Sequence, residues 1–172
     1  MALSGSEREA VPDSRVIGSP DPNEIIDVTV LLRRRAGEPP PAGSARVSRE
    51  EFVGLYGADP ADVERVQEFA ASNDLTEVDL ARRSVRLAGS IAKMNEAFGT
   101  QIRLYQSPDG NFRGRTGQIY IPAAIGDAVV GVFGLDARPQ ARTRLRRLTS
   151  GIRPRAAGGG GTSRAFRDRG VR

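Results

Sequence analysis

"SVRLAGSIAKMNEAFGTQIRLYQ", residues 84–106, decides the fold. "SVRLA" (84–88) alternates polar and apolar residues, the two-residue period of a half-buried strand. "GSIAKMNEAFG" (89–99) sets Ile91, Met94, Ala97 and Phe98 on one helical face behind Ser90, a helix N-cap. "TQIRLYQ" (100–106) then returns to the strand period. The stretch holds no His, no Cys and no cluster of carboxylates. It is scaffold, and its use must be read from what surrounds it.

Upstream, "NEIIDVTVLLRRR" (23–35) is β-branched and apolar and reads as a first strand. "AGEPPPAGSA" (36–45) is a Pro/Gly loop. "VSREEFVGLYG" (47–57) opens a helix with a capping box, Ser48 at the N-cap and Glu51 at N3. "DPADVERVQEFAASND" (59–74) starts a second helix with Asp59 as cap and Pro60 at its first position. "LTEVDL" (75–80) is a short strand, and "ARR" (81–83) turns it back. The order is β-α-β-β-α-β with the first helix split. That predicts an α+β, ferredoxin-like antiparallel sheet with helices on one face. "NFRGRTGQIYIP" (111–122) predicts an extra hairpin, and "PAAIGDAVVGVFGLD" (122–136) a short helix running into an apolar stretch. The expected divisions are a flexible polar segment over 1–22, a domain over 23–136 and a flexible Arg/Gly-rich tail over 137–172.

Composition narrows the chemistry. No cysteine and no histidine means no disulfide, no thiolate metal site and no serine–histidine pair within the 172 residues. The net charge of +5 is unevenly spread: residues 137–172 carry 11 Arg and one Asp, and the rest of the chain is net acidic. No apolar run of about 18 residues predicts a membrane span. "MALSGSEREAVPDS" lacks the basic and apolar regions of an ordinary signal peptide.

Three features invite a chemical reading. "GGTS" (160–163) looks like a serine in a glycine turn, but its surroundings supply no general base, and a linker explains it. Glu50 with Glu51, and Glu64 with Glu68, pair carboxylates beside Arg49 and Arg65, as solvated helix faces do. The Arg-rich stretch 138–155 could meet phosphate backbones and defines one alternative, a small basic-tailed nucleic-acid-binding protein. Against it, Phe166 is the sole aromatic of the tail, so a base-stacking surface is lacking.

The strands are more informative. Ile26, Val28, Val30, Leu32, Val78, Leu80, Val85, Leu87, Ile102 and Leu104 can face the helices. Asp27, Thr29, Leu31, Glu77, Asp79, Arg86, Arg103 and Tyr105 then share the opposite face. That mixture reads either as a wet surface or as a polar protein-binding face whose charges set register with a partner.

The stretches "SREEFVGLYGADPADVERVQEFAASNDLT", "VRLAGSIAKMNEAFGT", "FRGRTG", "IPAAI" and "VVGVFGLDARPQAR" together resemble the activation domain, or propeptide, of the sedolisin/kumamolisin family of serine-carboxyl peptidases. The likeness runs over residues 25–143, with the elements F-x-x-x-[YF]-G, G-x-x-x-x-[MF]-x-x-x-F-G-T and V-x-G-[VL]-x-G-L-D-x-R-P in order. "NDLTEVDL" is shorter than the family's usual second strand, which predicts an altered sheet edge. The resemblance implies a propeptide fold like that of subtilisins, acting as inhibitor and folding chaperone of a sedolisin-like catalytic domain, in cis or in trans. It implies that the sheet packs on that domain and that the following segment, with Arg138, Pro139, Gln140 and Arg142, runs toward its cleft and is cut in acid. The family's catalytic residues and its calcium belong to the catalytic domain, so no catalytic residue, cofactor or metal is expected of these residues. An extracellular setting is implied by the family alone.

Overall fold

A computed structural model describes residues 1–35, 41, 43 and 48–138. In chain order the elements are β1 (Arg15–Gly18), β2 (Ile25–Leu32), α1 (Arg49–Tyr56), α2 (Pro60–Ser72), β3 (Thr76–Ala81), β4 (Ser84–Ser90), α3 (Ile91–Ala97), β5 (Arg103–Ser107), β6 (Gly110–Gly114), α4 (Ala123–Gly126) and β7 (Val129–Phe133). The expected tail beyond Arg138 and most of the Pro/Gly loop lie outside the described residues.

The helices start where their caps place them. Ser48 Oγ accepts from the Glu51 N–H, and the Glu51 carboxylate accepts from the Ser48 N–H at 2.8 Å, closing the capping box of α1. Asp59 Oδ1 accepts from the Ala61 N–H at 3.0 Å, with Pro60 opening α2. Ser90 caps α3. These bonds satisfy N–H groups that a helix start would otherwise leave unpaired.

Four strands form an antiparallel sheet in the order β3-β4-β2-β7. Alternation along β2 and β4 sends Val28, Val30, Leu32, Val85 and Leu87 to one face, where all are buried. Val66 and Phe69 of α2, Met94 of α3 and Phe98 cover them in one cluster. Phe69 and Phe98 meet edge to face, centroids 5.6 Å apart. Each such side chain contributes about 1.5–3 kcal/mol by leaving water, which makes this layer the stabilising centre of the fold.

The α+β, ferredoxin-like order is present, but its closing strand is not 100–106. β7 pairs with β2, Thr29 opposite Phe133 and Val30 opposite Val132. β5 instead joins a second, three-stranded antiparallel sheet, β1-β5-β6. The hairpin is therefore β5–β6, turning at 107–110, and Ile119 and Ile121 beyond it enter the core.

Residues 1–22 also differ from expectation. The Leu3 side chain is buried in the core, and its N–H donates to the Ile119 carbonyl at 2.8 Å. Arg8 and Gly117 exchange backbone bonds of 3.1 and 2.8 Å. Further on, β1 pairs with β5. The polar composition hid this because the attachment is mostly backbone bonding, to which side-chain type is indifferent.

Candidate functional site

One face of the four-stranded sheet carries the helices, and the other is uncovered among the described residues. Asp27, Thr29 and Leu31 of β2 stand on the open face, alternating with buried Val28, Val30 and Leu32. Arg86 of β4 lies opposite Thr29 on one side and Asp79 of β3 on the other. These five of the eight expected residues come together.

The other three do not. The register between β3 and β4 shifts between Glu77 and Asp79, so Glu77 stands opposite Leu87, whose side chain is buried. A β-bulge of this kind reverses the side to which the residues before it point. Glu77 accordingly accepts a 2.7 Å hydrogen bond from Gln67 Nε2 on α2, on the helix side of the sheet. Arg103 and Tyr105 lie on β5 in the other sheet. Arg103 donates to Gln101 Oε1 at 2.7 Å, and Tyr105 is buried, stacked on Phe112 at 5.3 Å between centroids. At the sheet edge, Val78 and Leu80 are exposed rather than packed under the helices.

Sequence reasoning missed two members of the open face. Phe133 sits opposite Thr29 and is 54% exposed, its ring over Gly131, where an added Cβ would lie 3.1 Å from Phe133 Cε2. Ile25, opposite Ser90, is 66% exposed. The available signal was the glycine of "VVGVF", which leaves room for a ring on one face of a strand. The face is thus apolar at Ile25, Leu31 and Phe133, with charges at Asp27, Asp79 and Arg86.

At the end of the described chain, Arg138 folds back. Its guanidinium pairs with Asp136 Oδ2 and donates to the carbonyls of Glu9 at 2.8 Å and Arg115 at 2.6 Å. Pro139, Gln140 and Arg142 lie outside the described residues.

The strongest charge cluster is elsewhere. The Asp62 carboxylate is buried on α2 and accepts from Arg33 Nε at 2.7 Å and from Arg65. Asp127 closes the ring, 3.1 Å from Arg33 and 3.0 Å from Arg65. Hydrogen bonds from Arg33 chiefly, and from Arg65, hold the Asp62 carboxyl below its usual range against the opposing effect of burial. Those from Arg65 do the same for Asp127. Two carboxylates kept ionised by two arginines have no proton to give, so the cluster fits a structural clasp between β2, α2 and α4 better than acid–base chemistry. Of the other paired acids, Glu51 is committed to the cap of α1.

The family profile described as the pro-kumamolisin activation domain matches residues 40–138. Kumamolisin of Bacillus sp. (strain MN-32) is 33% identical over 164 residues, covering 87% of this chain and 30% of its own length. Tripeptidyl-peptidase sed5 of Aspergillus fumigatus (strain ATCC MYA-4609 / CBS 101355 / FGSC A1100 / Af293) is 26% identical over 164 residues, covering 79% of this chain and 28% of its own. The chain therefore spans less than a third of either relative.

Proposed function

The chain belongs to the pro-kumamolisin activation-domain family, and from that premise we propose that it is the propeptide-type inhibitor and folding chaperone of a sedolisin-like serine-carboxyl peptidase. The observation that carries this is the open sheet face. Its reverse is closed by helices, whereas Ile25 and Phe133 stand in solvent among Asp27, Asp79 and Arg86. Exposed aromatic and aliphatic side chains beside charges match the make-up of a protein interface. The partner is the peptidase's catalytic domain, in the same chain or a separate one.

In this reading the domain contributes binding and placement, not catalysis. The exposed apolar side chains supply affinity. The charges set register and make association pH-dependent, because a carboxylate that pairs across an interface only when ionised loosens it on protonation. The segment following Arg138 occupies the cleft and is cut when acid weakens the docking. As a chaperone, the face offers the folding partner a preformed surface.

The test adds the full chain to the peptidase portion of kumamolisin and follows hydrolysis of a peptide at about pH 6. Wild type inhibits, and Phe133→Asp raises the inhibition constant about tenfold or more, as loss of an aromatic anchor does. No inhibition by wild type, or equal inhibition by the variant, would overturn the reading.

A further inference from the structure

Arg138, the last of the described residues, is held by bonds from both its backbone and its side chain. Its backbone N–H donates to Asp136 Oδ1 at 2.9 Å, and the Ala137 N–H donates to the Arg113 carbonyl at 2.8 Å. Its guanidinium is largely buried, with 16% of the side chain exposed, and reaches Asp136, Glu9 and Arg115 together. A guanidinium is a rigid planar fork of five N–H donors, so three partners in three directions fix its position as well as its charge.

The far support is itself secured. Arg115 is buried, and donates to the carbonyls of Ser6 and Gly117 at 2.7 Å each. Ser6 Oγ accepts from the Ile119 N–H at 2.9 Å. Residues 6–9 are therefore a strap laid across the segment 115–119 that follows β6, and Arg138 is bolted to its end.

We propose that Arg138 is a positioning residue that fixes where, and in which direction, the following chain leaves the domain, with residues 6–9 as its second support. This rests on the reading that the downstream segment runs to a peptidase's cleft. The magnitude follows from chain geometry. Freeing residues 136–138 adds about 10 Å of slack, at about 3.3–3.6 Å per extended residue. That slack lets a fixed cleft meet a different bond, several residues from the one the anchored chain presents. The anchor thus sets the register of cleavage, and the open sheet face sets affinity.

The test uses the full chain and three variants, Arg138→Ala, Arg138→Lys and Asp136→Asn. The first readout is amide hydrogen exchange on the chain alone. In Arg138→Ala, the amides of residues 137 and 138 should exchange about tenfold faster or more, with β2 and β4 unchanged, which also reports that the variant folds. Unaltered exchange there overturns the anchor. The second readout is the position of slow cleavage by the peptidase portion of kumamolisin, read by mass spectrometry, with binding measured separately. Wild type should be cut at one bond, and Arg138→Ala at several, with binding changed by less than about threefold. Arg138→Lys keeps the charge but not the fork and should scatter the cuts too, as should Asp136→Asn. A single unshifted cut in Arg138→Ala overturns the positioning role. Failure of wild type to bind the peptidase counts against the docking reading instead, and the exchange result then decides the anchor alone.

Discussion

Arg33 holds Asp62 by two hydrogen bonds, Nε to Oδ2 at 2.7 Å and a terminal nitrogen to Oδ1 at 3.2 Å, joining the end of β2 to the first turn of α2. Asp62 and Asp127 both titrate below their ordinary range in the folded chain, chiefly through hydrogen bonds from Arg33 and Arg65 respectively. Groups with depressed folded values add stability above their unfolded value, about pH 4, and that stability is lost as pH falls through the folded values. Chemical denaturation should show a flat midpoint from about pH 7 to 5 and a fall below about pH 4. Asp62→Asn should lower the plateau by about 1–3 kcal/mol, because Arg33 and Arg65 lose the buried carboxylate they share and keep only the exposed Asp127 between them, and should flatten the acid limb. An equally steep acid limb in the variant would place the acid sensitivity elsewhere.

Gly134 ends β7 with φ +102, and a Cβ there would lie 2.4 Å from the Asp27 carbonyl oxygen. Both the left-handed backbone and the contact with β2 require glycine. Gly134→Ala should cost about 2 kcal/mol or more, and should detach β7 before the helix-covered strands, seen as early exchange at Val130–Phe133. A change below about 0.5 kcal/mol would show that the approach to β2 relaxes freely.

The bulge in β3 makes a paired prediction. Glu77 faces Gln67 on α2, whereas Asp79 stands beside Arg86 on the open face. Glu77→Gln should change stability by under about 1 kcal/mol and leave peptidase binding unaltered. Asp79→Asn should leave stability alone and weaken binding severalfold. Equal effects of the two on binding would contradict this division.

What could be read from residues alone was what local chemistry dictates. The capping box of Ser48 and Glu51, the Asp59–Pro60 start and the alternation of Val28, Val30 and Leu32 all follow from bonds and periods within a few residues. What failed was long-range pairing. "TQIRLYQ" and "VVGVF" are both competent strands, and which one closes the sheet depends on partners about 100 residues away in the chain. The face assignment failed at Glu77 because one bulged residue inverts every parity argument before it. Arg138 was expected to lead into a cleft, because an arginine before a proline gives no sequence signal of the carbonyls it will meet.

The sharpest contrast between composition and fold is at Leu3. Residues 1–22 are polar enough to pass for a flexible segment, and in such a segment Leu3→Ala would be silent. In the structure Leu3 is 6% exposed and belongs to the same cluster as Ile119, Ile121 and Val129. Removing its buried methyl and methylene groups forfeits their transfer energy and opens a cavity, so Leu3→Ala should cost about 2–3 kcal/mol. The loss should appear first at the strap: the backbone bonds between Arg8 and Gly117 should exchange faster, while Val28 and Val85 keep their protection until global unfolding. Freed residues 6–9 can no longer hold the Arg138 guanidinium, so the same variant should loosen the amides of 137 and 138 without touching that side chain. Urea denaturation with exchange on wild type and Leu3→Ala decides the matter. A midpoint equal to wild type, with unchanged exchange at 137 and 138, would mean that the first residues lie on the domain without supporting it.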